Sequence, residues 1–313
     1  MSENFRTVVV VNPASAGGKA GKQWPETSAL LHAQFGAFDE ARTAAPGDAT
    51  TLTREAIRGG AEMVVALGGD GTTNEVVNGF FEEAGGPAVN PDAVLGLLPF
   101  GTGGDFRKTL GLGLDLTENV QRLRGRESRQ IDVGRMTCVG HDGQELVRHF
   151  INIASFGMSG DVDARVNRSR KTLGGKLTFM VATVRSLLSF DNVRIRLTLD
   201  DREPFERLCN TVSVANGKWF GGGMKVAPNA EPDDGIFDLI GFGDVGIGWF
   251  ATKQGLLYKG EHLDDSRVFS DRAARVRAES VEEREVLIDL DGEQPGRLPA
   301  TFDVLPGAIR VHT

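Results

Sequence analysis

The sequence predicts two domains in series: an N-terminal α/β layer with a largely parallel sheet, then a mostly antiparallel β domain. Three observations carry this reading. Continuously apolar runs alternate with amphipathic ones over roughly the first 130 residues, the pattern of strand–helix units. A glycine turn, Gly68-Gly-Asp-Gly-Thr72, joins one such apolar run to the amphipathic run after it. From Arg129 onward, short runs of strand-forming residues replace the strand–helix alternation. At 313 residues the chain has room for both domains.

Taken in order, Thr7–Val11 is continuously β-branched and reads as a buried parallel strand. The loop from Asn12 to Lys22 precedes a predicted helix near Gln23–Gln34, and a second helix is predicted over Ala49–Arg58. Met63–Leu67 is the next strand, the glycine turn follows, and Asn74–Glu83 is the helix after it. Ala93–Leu98 is a further buried strand, ending in the loop Pro99-Phe-Gly-Thr-Gly-Gly-Asp105. In the second half, Val193–Leu199 alternates strictly, as a half-exposed antiparallel strand does. Thr211–Ala215, Phe237–Phe242, Glu285–Leu290 and Thr301–Leu305 are read as further strands. Between them, Leu173, Leu177, Met180, Val181, Val184, Leu187 and Leu188 share one helical face. Arg165, Arg168, Arg170, Lys171 and Lys176 make that segment basic. It reads either as a helix packed on the β domain with a solvated rim or as a membrane-docking edge.

Composition narrows the function. A net charge of −8 argues against general nucleic-acid binding. No apolar run reaches the ~18 residues of a membrane span. The N-terminal stretch Met1–Arg6 leads straight into a strand, so the expectation is no signal peptide and a cytoplasmic protein. Two cysteines, Cys138 and Cys209, suit a reducing compartment. The five histidines lack metal-ligand spacing.

The glycine turn points to a polyphosphate. Gly68, Gly69 and Gly71 leave backbone N–H groups uncovered, and the following helix aims its positive end at the same place. Asp70 would repel a phosphate unless a cation stood between them, so the turn predicts a nucleoside triphosphate with Mg²⁺. Thr72-Thr-Asn-Glu75 reads as a capping box with Thr72 as N-cap, which assigns Glu75 to the helix end. Asp233-Asp234 also fits an ordinary Pro-Asp-Asp-Gly turn, Glu293 a hairpin-turn charge, and Asp289 and Asp291 solvated strand or turn residues. Lys22 ends a near-miss of the P-loop pattern, which fails at Ala16 and Gln23.

Further motifs follow in order: Gly69–Val76, Leu98–Phe106, Ile131-Asp-Val-Gly134, Asn216–Met224, Ala227–Asp238 and Leu290-Asp-Gly-Glu293. With these six the chain resembles the diacylglycerol kinase catalytic-domain family, in particular the soluble bacterial lipid kinases related to sphingosine kinases. The resemblance runs from about residue 7 to the C-terminus. It implies an ATP-binding domain over 1–131, similar to the nucleotide domains of phosphofructokinase and NAD kinase. It implies a β-sandwich lipid-acceptor domain over 132–299, with the segment from about 300 to 313 returning to the first domain.

The resemblance also implies roles. Asn12, Thr43, Gly68, Gly69, Asp70, Gly71, Thr72, Gly101, Thr102 and Asp105 would contact the nucleotide. Asp132 would join Asp70 and Asp105 in a water-linked Mg²⁺ network. Glu231, Asp234 and Ile236 would hold a second Mg²⁺, the first and third through backbone carbonyls. Glu293 would be the general base. The family usually has Asn where this chain has Gly104, so an amide is missing from the second glycine loop. The expected activity is Mg²⁺-dependent transfer of the ATP γ-phosphate to a lipid hydroxyl at the cytoplasmic membrane surface. Two rivals share the turn: a soluble-metabolite kinase of the NAD kinase kind and a non-catalytic nucleotide-binding protein. The acceptor lipid and the oligomeric state, a homodimer included, stay open.

Overall fold

A computed structural model describes residues 6–100, 104–124, 127–162 and 190–312. Chain contacts divide it into two compact units, Met1–Val133 with Leu305–Thr313, and Gly134–Val304.

The first unit is built on β1 (Thr7–Val11), β2 (Asp39–Arg42), β3 (Met63–Gly68) and β4 (Val94–Pro99), in the spatial order β2-β1-β3-β4 and all parallel. β1 and β3 are buried at every residue, which is why their sequences are continuously apolar rather than alternating. One face packs on α1 (Ser15–Phe35) and α5 (Leu116–Leu123): Val9, Val11, Val65 and Leu67 meet Trp24, Leu31, Val120 and Leu123. The helices α2 (Asp48–Arg58) and α3 (Asp70–Gly79) contact each other and β1 and β3. α4 (Asp105–Thr109) is a short helix after the second glycine loop. The C-terminal end of the chain adds one more parallel partner, Arg310 and Val311 lying beside Val94 and Leu95 of β4.

Three sequence expectations are corrected here. α3 begins at Asp70, with Gly69 as its N-cap, so the glycine turn is itself the first helical turn. Thr72 is therefore inside the helix and buried, and its hydroxyl accepts from Asn12 Nδ2 at 2.9 Å. The capping box does not form. Glu75 instead accepts from the Ala49 N–H at 3.1 Å and so caps the start of the neighbouring helix α2. The edge strand β2 and the helices α4 and α5 were not expected, and α1 starts earlier than predicted, with Ala16, Gly17 and Gly18 in left-handed conformations inside it.

The second unit is two facing antiparallel sheets. One holds β8 (Val193–Leu199), β9 (Phe205–Cys209), β13 (Arg275–Ser280) and the first part of β15 (Gly296–His312), with the hairpin of β5 (Ser128–Gly140) and β6 (Glu145–Phe150) attached. The other runs β12-β11-β10-β7-β14, formed by β7 (Ile153–Gly157), β10 (Thr211–Ala215), β11 (Phe237–Phe242), β12 (Val268–Ala273) and β14 (Ile288–Leu290). Between the sheets lies a buried core in which Phe150 stacks on Phe237 and Phe156 on Phe302, centroids 5.5 and 5.8 Å apart. Strand β8 buries alternate residues, as its sequence predicts. Burial pushes the Cys138 and Cys209 thiols up to about 11 and about 12.

β10 is buried at all five positions because both of its faces are covered. Val212 and Val214 enter the sandwich core, while Ala215 joins a second apolar cluster with Ile240, Phe242, Trp249 and Leu257. α6 (Ile247–Lys259) supplies Trp249 and Leu257 to that cluster. No helix among the described residues is long and apolar enough to cross a membrane. The basic apolar-faced segment 165–188 lies outside the described residues.

Candidate functional site

In the first unit the candidate residues collect at the carboxyl edge of the parallel sheet, where open α/β sheets place ligands. Asn12 follows β1, Thr43 follows β2, and Gly68 closes β3. Asn12 bridges two of these: its N–H donates to Leu67 O at 3.2 Å, its Nδ2 to Thr72 Oγ1, and its Oδ1 accepts from Ala14 N at 3.0 Å. The Thr43 N–H donates to Val11 O at 3.0 Å. Gly68 is required sterically, because a Cβ there would stand 2.4 Å from Thr72 Oγ1. Gly69 has nothing within 4 Å of the same position, which leaves its backbone open to a ligand.

Asp70 reaches across to the second loop. Its Oδ2 accepts from the N–H groups of Gly104 and Asp105, at 3.0 and 3.1 Å, and so caps the start of α4. Burial, then the nearby Asp105 carboxylate, push the Asp70 pKa above the usual carboxylate range, against those hydrogen bonds. Lys108 Nζ lies 2.6 Å from Asp105 Oδ1. Asp132 is buried on β5 and accepts from the Gly307 N–H at 2.8 Å. Gly104 adopts a left-handed conformation, φ 88°, and the Arg107 side chain packs 3.0 Å from where a Cβ would sit. Gly101 and Thr102 lie outside the described residues.

The Asp70 carboxylate, pushed toward protonation by burial and by a second acid, is short of positive charge, and that fits a divalent cation held beside it. Among the described residues no three Asp, Glu, His or Cys side chains form a metal cluster. A cation at Asp70 and Asp105 would therefore draw its remaining ligands from water and phosphate oxygens, as Mg²⁺ commonly does. The set in the second unit differs. Glu231 pairs with Lys218 at 2.8 Å and Asp234 with Arg272, which also lies 3.5 Å from Asp238, while the Ile236 N–H donates to Asp234 Oδ1. These pairings engage the side chains of Glu231 and Asp234, whereas the ligands the resemblance implies at Glu231 and Ile236 are backbone carbonyls.

Glu293 is exposed at the end of a tight turn. Leu290 and Glu293 exchange backbone hydrogen bonds of 2.7 and 3.0 Å around Asp291 and Gly292, whose φ values of 51° and 90° give the type I′ pattern. Asp289 and Asp291, expected to be solvated, are buried. The reason is hydrogen bonding: Asp291 accepts three backbone N–H groups, and Asp289 accepts from Gly292 N at 2.8 Å and from Ser155 Oγ at 3.3 Å.

Sequence reasoning missed a narrow pocket in the second unit, of about 80 Å³. It lies between the outward residues of β10 and β11 and helix α6, lined by Thr211, Ser213, Phe242, Phe250 and Leu257 among others. Its few polar groups include Ser159 and Asp289, linked through Ser155, whose Oγ lies 2.8 Å from Ser159 Oγ. Asp289 thus connects the pocket wall to the turn that carries Glu293. Each strand contributes only alternate residues to the wall, so no contiguous motif marks it.

Two family models match the chain. Residues 6–136 match the diacylglycerol kinase catalytic domain, and residues 152–313 match the YegS C-terminal NAD kinase beta sandwich-like domain. The diacylglycerol kinase of Staphylococcus carnosus is 30% identical over 311 residues, covering 98% of this chain and 95% of that one. That of Bacillus subtilis is 30% identical over 262 residues, covering 83% and 80%. A diacylglycerol kinase crystal structure from Bacillus anthracis superposes with a TM-score of 0.72 at 23% identity, covering 100% of this chain and 98% of the other. Yeast NADH kinase gives a TM-score of 0.53 at 12% identity, covering 99% and 83%, a likeness of fold. The α/β sheet with its glycine turn, the sandwich that follows and these matches along nearly the whole length place the chain in the diacylglycerol kinase catalytic-domain family.

Proposed function

We propose that this protein is a lipid kinase that transfers the γ-phosphate of ATP to a lipid hydroxyl, with Mg²⁺ as its cation. The observation that carries the lipid reading is the apolar pocket of the second unit, joined through Asp289 to the turn of Glu293. A pocket walled by Met, Phe, Leu and Val side chains suits an acyl chain and offers little to a nicotinamide or a sugar. The membership in a lipid kinase family supports the same reading.

In this proposal the N–H groups of the glycine turn hold the phosphates, and Asn12, Thr43 and Thr72 brace the turn and its flank. The two loops after β3 and β4 are tied together by Asp70, which keeps the turn in one shape before nucleotide arrives. Asp70 and Asp105 would hold Mg²⁺, and Asp132 would join their network through water. The cation would supply neutralisation of phosphate charge. Glu293 accepts the proton of the lipid hydroxyl as its oxygen bonds to the γ-phosphorus; the bond to the β,γ-bridging oxygen breaks and ADP leaves.

The test is incubation with γ-labelled ATP and, in parallel, a total lipid extract or NAD. Label in the lipid phase supports the proposal. Label in NADP with none in lipid would overturn it in favour of a soluble-metabolite kinase.

A further inference from the structure

Two buried side chains hold the turn that presents Glu293: Asp289 caps it from within, and Asp291 ties it to the rest of the sheet. Asp291 takes its place in that turn with a left-handed backbone, φ 51°. It is 7% exposed, and its carboxylate accepts from three consecutive backbone N–H groups at the junction of β6 and β7: Ile151 at 2.9 Å, Asn152 at 3.1 Å and Ile153 at 2.9 Å. Its own N–H donates to Ile153 O at 3.0 Å. The same junction is fastened on its far side. Asn152 O accepts from Asn216 N and Gly217 N, Asn152 Nδ2 donates to Trp219 O, and Asn216 Nδ2 donates to Ile151 O. The glycine-rich loop after β10 and the Glu293 turn therefore meet at one peptide segment.

We infer that Asp291 is a positioning residue for the phosphoryl transfer. It fixes where the Glu293 carboxylate stands by locking the turn to residues 151–153. This rests on the reading of Glu293 as the base. A carboxylate buried against three N–H groups has no other partner chemistry that satisfies all three at once, since a carboxamide brings one oxygen and an NH₂ that faces donors. A base must sit within hydrogen-bond reach of the proton it takes, and a displacement of about 1 Å costs up to ~10²-fold in rate.

Asp291→Asn keeps size and left-handed tolerance while removing part of the clamp. Expected is a kcat lowered by about 10- to 100-fold per folded molecule, with KM for ATP unchanged. In a Glu293→Gln background the same substitution should cost nothing further, because the group it positions is gone. A kcat equal to wild type, or an equal loss in both backgrounds, overturns the inference. Glu293→Gln measured alone separates the two readings. Full turnover there removes the base and this proposal with it, whereas an inactive Glu293→Gln beside a fully active Asp291→Asn removes the clamp alone. A second measurement needs no variant: the wild-type amides of Ile151, Asn152 and Ile153 should exchange with solvent as slowly as strand amides. Exchange at the rate of an exposed turn would contradict the clamp.

Discussion

Gly68 and Gly69 are neighbours with opposite physical reasons to be glycine, and alanine at each should give opposite results. A Cβ on Gly68 would stand 2.4 Å from Thr72 Oγ1 and 2.5 Å from Thr72 Cβ. Thr72 is 5% exposed within α3 and cannot swing away, so strand and helix must separate. Overpacking of this kind costs about 1–3 kcal/mol, and losing the Asn12–Thr72 hydrogen bond about 1 kcal/mol more. At roughly 2–4 °C per kcal/mol, Gly68→Ala should lower Tm by about 4–16 °C. Gly69 has φ −95° and nothing within 4 Å of a Cβ, so alanine fits without strain. Restricting the unfolded chain then leaves stability equal or raised by about 0.4–1 kcal/mol. The methyl would stand over the N–H groups assigned to the phosphates. Loss of one charge-assisted hydrogen bond, about 1.5–3 kcal/mol, predicts ATP binding weaker by roughly 10- to 100-fold. Thermal unfolding and calorimetric titration with ATP on both variants read the two quantities. A Gly69→Ala protein that binds ATP like wild type, or a Gly68→Ala protein with an unshifted Tm, would refute the reasoning.

Three further outcomes follow from the geometry. Because burial raises the Asp70 pKa in the folded state, the folded protein holds that proton more tightly than the unfolded chain. Stability should fall as pH rises from the ordinary Asp value near 3.9 through the raised one, and Asp70→Asn should remove that decline in a pH series of Tm. Over the same window Mg²⁺-dependent nucleotide affinity should rise with pH as the carboxylate ionises. Ser213→Phe, which fills the apolar pocket from β10, should lower the rate with long-chain lipids by about tenfold or more while ATP titrations stay as in wild type; Ser213→Ala serves as the control.

Much of the fold was legible because burial on both faces leaves a plain mark. β1, β3 and β4 are apolar at nearly every position, and β8 alternates, so each is readable from its own residues. β2, with the sequence Asp-Glu-Ala-Arg, is an exposed edge strand whose pairing with β1 comes from tertiary position alone. β13, Arg-Val-Arg-Ala-Glu-Ser, alternates too but carries charges on its outer face, which masks the pattern. At the site, the glycine turn was legible because its chemistry is local. The roles of Glu75 and Asp291 were not, since each is set by backbone N–H groups distant in sequence, at Ala49 and at Ile151–Ile153. The pocket was hidden for the same reason: its wall is assembled from alternate residues of separate strands and one helix face.

The central claim is that the exposed carboxylate of Glu293 takes a proton from a lipid hydroxyl while ATP sits on the glycine turn. Its most direct test is single-turnover transfer of γ-labelled phosphate from ATP to diacylglycerol in mixed micelles, wild type beside Glu293→Gln, with ATP affinity measured on both. The account predicts label in the organic phase for wild type, a loss of at least about 10²-fold in the variant, and ATP affinities that agree within about twofold. Transfer by Glu293→Gln at a rate close to wild type would contradict it.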